Sequence, residues 1–445
     1  MISVVEQRKT RDPYLAAFER FGRSEEAGPA WLRRIRERAA ARFAALGFPT
    51  TRDEEWRFTS VAPIAERAFE RAADGAARVS AADVARLSMT GPDAAAIVFV
   101  NGRYAPELSA PGALPDGVRL TSLRAALASD PGLVEPHLAR LAAVEHHAFA
   151  ALNTALFEDG AFVLVPANQV VERPLHLLFI ATAPDRPAVA YPRALIVANE
   201  NSQVRIVESY AGLGDEVYFS NAVSEVVVGQ HAVVDHYKVQ RESLRGFHIG
   251  GLHVHLGRSA GFTTHSIALG GALTRNDVVA VLDGEGGECT LNGLYIADGR
   301  QLVDNHTTID HAKPHCDSHE VYKGILAGQA QGVFNGKILV RPDAQKTDAK
   351  QTNRALVLSD EAQINTKPQL EIFADDVKCT HGAAVGQLDE DAIFYLRSRG
   401  LDLAQARAIL IQAFAGDMLG RIRIEPLRAQ LEAAVLALLP NESSP

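Results

Sequence analysis

Between residues 195 and 381 the chain is a succession of short β-branched runs, each ended by a glycine or polar turn. The runs read "ALIVANENSQVRIVESY", "SNAVSEVVVGQHAVVDHYKV", "GGLHVHLGRSAGFTTHSIAL" and "DVVAVLDGEGGECTLNGLYIA". After a histidine-rich interruption come "GVFNGKILV", "RALVLSDEAQI" and "LEIFADDVKCTH". Turns recur at Gly229, Gly257, Gly284, Gly328 and Asp360, in steps of 28, 27, 44 and 32 residues. A recurring unit of this size cannot bury its apolar face alone; it builds a core by stacking on its neighbours. The strands of a sandwich recur about every 8–12 residues. Steps near 28 fit coils of two or three strands better, so the pattern predicts a β-helix.

Helical patterns flank this stretch. Pro13 can open a short helix through Tyr14, Phe18 and Phe21. "WLRRIRERAAARFAAL" follows Pro29, with Ile35, Ala39, Phe43 and Leu46 on one side and arginines on the other. "AIVFVNGRY" reads as a strand ending in a turn at Asn101–Gly102, and "SLRAALAS" and "EPHLARLAAVEHHAFAALNTALFEDG" read as helices stopped by Gly160. The period shifts towards two from Ala161. Beyond Gly386, "DEDAIFYLRSRG" is a helix stopped by Gly400, and Ala406, Ile409, Leu410, Ala413, Phe414 and Met418 recur at helical spacing. Pro426 interrupts the pattern, and the tail "NESSP" is expected to be disordered. The expected division is an α-rich mixed domain over 1–160, a β-helix core over 161–386 and a helical domain over 387–445.

Composition narrows the function. With 445 residues, 47% apolar and a net charge of −9, the chain can bury a large core and does not suit nucleic acid or an anionic membrane as main partner. There is no apolar run of membrane-spanning length, and "MISVVEQRKTRDPYL" lacks a secretory h-region. The three cysteines, Cys289, Cys316 and Cys379, lie far apart, as in a reducing cytoplasm.

The histidines point to chemistry. Eleven of fifteen fall between residues 231 and 381. "NHTTIDHAKPHCDSH" carries His306, His311, His315, Cys316 and His319, donor types suited to zinc or iron, though without the spacing of a zinc finger. The same residues also suit a polar turn bonded to backbone groups. His253-x-His255 puts two rings on one strand face without the glutamate of a cupin-type site. In "VKCTH", Cys379 and His381 share a strand face, a soft donor beside a borderline one, and an adjacent imidazole would lower the thiol pKa. "GVFNGKI" lacks the four-residue gap of a phosphate loop and has Ile338 where Ser or Thr would hold magnesium; "DGEGGE" is acidic and has no GxGxxG. No nucleotide site is readable.

"EIFADDVKCTHGAAVGQLDEDAIFYLRSRG", together with "HTTIDHAKPHCDSHEVYKGIL", "GVFNGKILV", "QTNRALVLSDEAQINTKPQLEI" and "FPTTRDEEWRFT", resembles the SufD family, scaffold subunits of the SUF iron–sulfur cluster assembly system. The paralogous SufB family carries a cysteine in the "FYxR" helix and an acidic residue after the strand histidine, where this chain has Leu396 and Gly382. Thr380 replaces a more usual serine. The resemblance implies a right-handed parallel β-helix flanked by helical domains, and a non-enzymatic scaffold role. It further implies a heterodimer with a SufB-like paralogue, docking of a SufC-like ATPase through the C-terminal helices, and a transient iron–sulfur cluster at the SufB–SufD interface. His381 is the ligand candidate it points to, with Cys379 beside it; His306 and His311 are further metal candidates from the residues themselves. A homodimer of the isolated chain, a purely architectural role without ligands, and a β-helix metalloenzyme, hydrolase or lyase remain open at this point.

Overall fold

A computed structural model describes residues 13–22, 28–91, 93–183 and 185–438. The expectations for the first twelve residues and for "NESSP" lie outside the described residues.

Period-two patterning produces two sheets that are parallel throughout the core. One runs through Arg193–Ala198, Tyr218–Val228, Phe247–Leu256, Leu273–Leu282, Leu302–His311, Gln331–Val340 and Gln363–Ile372. The other runs through Gln203–Gly212, Val233–Arg241, Gly261–Ala268, Glu288–Ala297, Asp317–Leu326, Asp348–Val357 and Lys378–Gly386. The chain alternates between them, so each coil has two strands, and the coils stack into a β-solenoid of about eight turns. The β-helix expectation therefore holds, with helices at both ends of the chain.

One corner sets the repeat. Asn168, Asn201, His231, Ser259, Gly286, His315 and Lys346 each have positive φ where the chain turns from the first sheet into the second. The N–H groups of Asn201, His231 and His315 bond at 2.9 Å to carbonyls of the next coil, those of Gln230, Arg258 and Gln345. Asn, His and Gly tolerate this left-handed conformation better than β-branched residues. Two of the clustered histidines, His231 and His315, thus occupy backbone-determined corners. The anomalous 44-residue step has a simple origin. Gly284 lies at this corner, whereas Gly328 and Asp360 lie at the opposite one, after Asp317–Leu326 and Asp348–Val357. Gly284 is also a point of close approach between coils: a Cβ there would sit 2.0 Å from the Arg258 backbone nitrogen.

Inward side chains fill the lumen. Val226, Val254, Ala280 and Ile309 of the first sheet meet Ile206, Val234, Phe262 and Leu291 of the second. Each fully buried aliphatic side chain contributes about 1.5–3 kcal/mol. The outer face of the first sheet (Phe219, Phe247, Ile249) packs against N-terminal helices through Leu32, Phe43 and Phe149. The outer face of the second (Tyr237, Ile267, Leu294, Ile325) packs against C-terminal Ile411, Ala415, Met418, Leu427 and Leu431.

The helices Pro13–Gly22 and Ala30–Leu46 form as their patterns suggest. The long helical pattern over 135–160 forms only in part. Within it only Ala148–Leu156 is helical, and the short helix Pro131–Val134 ends just before it. Between them the buried Glu225 carboxylate accepts hydrogen bonds from the backbone N–H groups of Ala139, Leu141 and Ala142 at 2.8, 2.8 and 3.2 Å. Those donors are diverted from helical partners, and Ala139 takes a φ of 57°. Sheet pairing also begins before Ala161: Ala95–Val100 lies parallel to Val170–Ala181, and Arg119–Ser122 pairs antiparallel with Ala161–Val165. At the other end come helices Glu390–Ser398, Leu403–Leu419 and Glu425–Ala437. Asp389 and Asp402 cap the first two. The buried stripe of Leu403–Leu419 is Ala406, Ile411, Ala415, Met418 and Leu419, while Ile409 is 41% exposed. This helix is apolar nearly all round, so spacing alone could not choose its buried side. No described helix is long and apolar enough to cross a membrane.

Candidate functional site

The second sheet ends on Lys378–Gly386, which among the described residues pairs only with Asp348–Val357. Strand alternation turns Cys379, His381 and Ala383 to the inner face, in register with buried Ala349, Gln351 and Asn353. No further coil covers them. Cys379 and His381 consequently share a face, Cys379 partly buried and His381 exposed. The Cys379 side chain packs against the buried cluster of Ile338, Val340, Ala344, Ala349 and Ala374. Partial burial, with the Asp348 carboxylate adding to it, pushes the Cys379 thiol up. That reverses the expected direction: burial, reinforced by the Asp348 carboxylate, sets the shift. The rim is apolar, with Ile372 39%, Phe373 62% and Val385 51% exposed.

Cys379 and His381 supply two donors, a thiol and an imidazole, of types that iron accepts. Two donors cannot close a four-coordinate iron site, so this strand is at most half of one. Among the described residues, no three His, Cys, Asp or Glu side chains converge to hold a metal.

The histidine-rich segment is dispersed by the fold. His306 and His311 lie five positions apart on Leu302–His311 and so face opposite sides of the sheet. On the outer face, His306 Nε2 meets Asp304 Oδ1 at 3.0 Å and Nδ1 meets Glu55 Oε2 at 3.2 Å. Burial opposes its charge, but Asp304 and Glu55 outweigh it and carry the pKa up to about 9. An imidazolium has no lone pair for a metal. Inside the lumen, His311 Nε2 lies 2.9 Å from Ser318 Oγ, and burial lowers its pKa to about 4. Cys316 is buried at the adjacent corner, and His319 is exposed on the outer face. His253 is buried under the N-terminal region, while His255 reaches Asp283 at 3.1 Å on the surface.

His306 belongs to a latch whose acidic members lay unnoticed in the sequence. Arg275, 1% exposed, donates to both oxygens of Asp277 and, from Nη1, to Asp304 Oδ2 at 2.9 Å and the Glu55 carbonyl at 2.6 Å. Its guanidinium stacks 3.7 Å from the Trp56 ring centroid. Thr59 Oγ1 donates to Asp304 Oδ2 at 2.6 Å. Glu55, Trp56 and Thr59 all come from "RDEEWRFT", which is thereby clamped to the first sheet. A cavity of about 530 Å³ opens beside the latch, lined among others by Arg52, Phe58, His306, Asn335 and Lys367.

Comparison with known proteins bears on the same residues. The profile of the SUF system FeS cluster assembly SufBD core domain matches residues 179–414, and that of the SufBD protein N-terminal region matches 9–177. The chain belongs to the SufBD family. It is 37% identical to the iron–sulfur cluster assembly SufBD family protein slr0076 of Synechocystis, over 90% of this chain and 89% of that one. It is 32% identical to the iron–sulfur cluster assembly protein SufD of Escherichia coli, over 89% and 90% of the two chains. The SufD of Bacillus subtilis is 27% identical over 92% and 94%. A role of this SufBD protein in iron–sulfur cluster assembly follows from that membership.

Proposed function

We propose that this chain is a SufD-type scaffold subunit of a cytoplasmic SUF complex and does not itself catalyse a reaction. It pairs with a SufB-like paralogue at its last coil and docks a SufC-like ATPase through its C-terminal helices. The cluster is cargo: His381, with Cys379 beside it, offers ligands on this side, and the partner completes the set. The observation that carries this reading is the open inner face of Lys378–Gly386, which presents a thiol and an imidazole side by side at the uncovered end of the solenoid. The exposed apolar rim and the unpaired edges of both terminal strands suit association with another sheet end. Phe394 and Tyr395, 74% and 57% exposed on Glu390–Ser398, suit a docked partner.

The test is iron and acid-labile sulfide content of the chain co-purified with its SufB-like and SufC-like partners, for wild type and His381→Ala. Loss of both from an assembled mutant complex is expected. Equal contents would make the chain's role architectural and move the ligands to the partner.

A further inference from the structure

On the inner face of the second sheet, Leu291, Glu320, Gln351 and His381 are successive register partners. Parallel in-register strands lie about 4.8 Å apart, so these side chains form one file. Glu320 and Gln351 are 1% and 2% exposed. Gln351 Nε2 donates to Glu320 Oε2 at 2.7 Å. Its other polar atom, Oε1, is buried and has no hydrogen-bond partner among the described residues. A buried acceptor left unpaired is destabilising. Room for the amide is reserved by the opposite sheet: a Cβ at Gly336 would lie 2.0 Å from Gln351 Nε2. Leu291 closes the file on the inside, so the polar run points towards the open end, where the next member is His381.

We propose that Gln351 is the positioning residue of His381: its amide oxygen accepts the imidazole N–H, while the Glu320 carboxylate holds the amide nitrogen and fixes which end of the amide faces the ring. An imidazole bound in this way at one nitrogen presents the other, deprotonated, in a set direction, which is the form that ligates a metal. The donor–acceptor logic of the Gln351 amide closes with these two neighbours. Carboxylate accepts from amide N–H, amide carbonyl accepts from ring N–H, and the remaining ring lone pair faces outward. The proposal rests on the reading of His381 as a ligand.

The test uses the full chain labelled with ¹⁵N-histidine, with the His381 signals assigned by their loss in His381→Ala. Long-range ¹H–¹⁵N spectra then report the ring tautomer. They are taken at pH 8, above the Glu320 value of about 7 that burial produces against the hydrogen bonds of Gln351 and Thr307, so that a carboxylate faces the amide. A single tautomer is expected in wild type. Gln351→Leu is expected to show the averaged signals of two exchanging tautomers, and about ten- to a hundredfold weaker Co²⁺ binding at His381. If the leucine variant does not fold, Gln351→Met, which keeps the length of the side chain, carries the same readout. The same averaged tautomer in wild type and all variants would overturn the proposal. Iron and sulfide content of the assembled complex separates the two readings. Unchanged content in His381→Ala removes the ligand reading itself. Loss in His381→Ala, with wild-type tautomer and content in Gln351→Leu, removes only the positioning role.

Discussion

His306 makes the stability of the latch depend on pH in a direction that the structure fixes. Its folded pKa of about 9 lies above the value near 6.5 of an unfolded chain. The folded state therefore binds this proton more tightly. The stabilisation is complete below pH ~6.5 and is lost as pH rises through about 9. The difference corresponds to about 3 kcal/mol. Asp304 and Glu55, whose pKa values are lowered, stay ionised across this window, so His306 is the member that changes. The perturbation is His306→Asn, and the assay is urea unfolding at pH 6 and pH 10. Trp56 serves as the probe in a Trp31→Phe background, since its ring is 8% exposed and stacked under Arg275. Wild type should exceed the variant at pH 6, and the gap should shrink by about 3 kcal/mol by pH 10. A gap of the same size at both pH values would refute the ion-pair account of His306.

Other perturbations follow from individual contacts. Glu225→Gln removes one charge of a fully buried pair with Arg193 and should lower unfolding free energy by about 3–5 kcal/mol, read by urea denaturation. Gly284→Ala pushes a methyl group into the Arg258 backbone and should abolish soluble, cooperatively folding protein, whereas Gly382→Ala, with open space around it, should unfold at the wild-type midpoint. Cys379 should react with iodoacetamide more slowly than free cysteine at pH 7.5, and Asp348→Asn should speed the reaction by removing the carboxylate that helps raise the thiol pKa. Lys323→Ala removes the 2.8 Å pair with Asp417 and the 3.0 Å bond to the Phe414 carbonyl, so amides of Leu403–Leu419 should exchange faster, by about 1–2 kcal/mol of local opening.

The solenoid was legible because its signal is local. Period-two runs and a recurring corner both act within a coil, and Asn201, His231 and Ser259 mark that corner in the sequence itself. Mixing its two corners obscured the regularity, since Gly284 and Gly328 look alike as letters but turn different ways round the coil. The pairing of Cys379 with His381 was legible too, because a strand puts i and i+2 on one face. The latch was not. Arg275, Asp277 and Asp304 read as scattered charges, and only stacking of coils brings them under Trp56. The same holds for residues 139–142, whose helical pattern yields to a carboxylate more than eighty residues away. The direction of the Cys379 shift comes from burial against the neighbouring coil, with Asp348 adding to it, and no reading of "VKCTH" contains either.

The strand Lys378–Gly386 has a mechanical position of its own. Interior strands of the core are gripped from both sides, so removing one requires two ladders to fail together. This strand has a single ladder, which can peel one bond at a time, each bond worth roughly 0.5–1.5 kcal/mol. It also runs, through three residues, straight into the helix Glu390–Ser398 with its exposed Phe394 and Tyr395. The following segment is fastened elsewhere: Lys323 holds Asp417, and Arg421 holds Asn292 at 2.8 Å. A load applied at Phe394 and Tyr395 is thus divided. The core side of Leu403–Leu419 resists through ties to interior coils, and the edge strand yields first, moving Cys379 and His381 while the rest of the solenoid stays still.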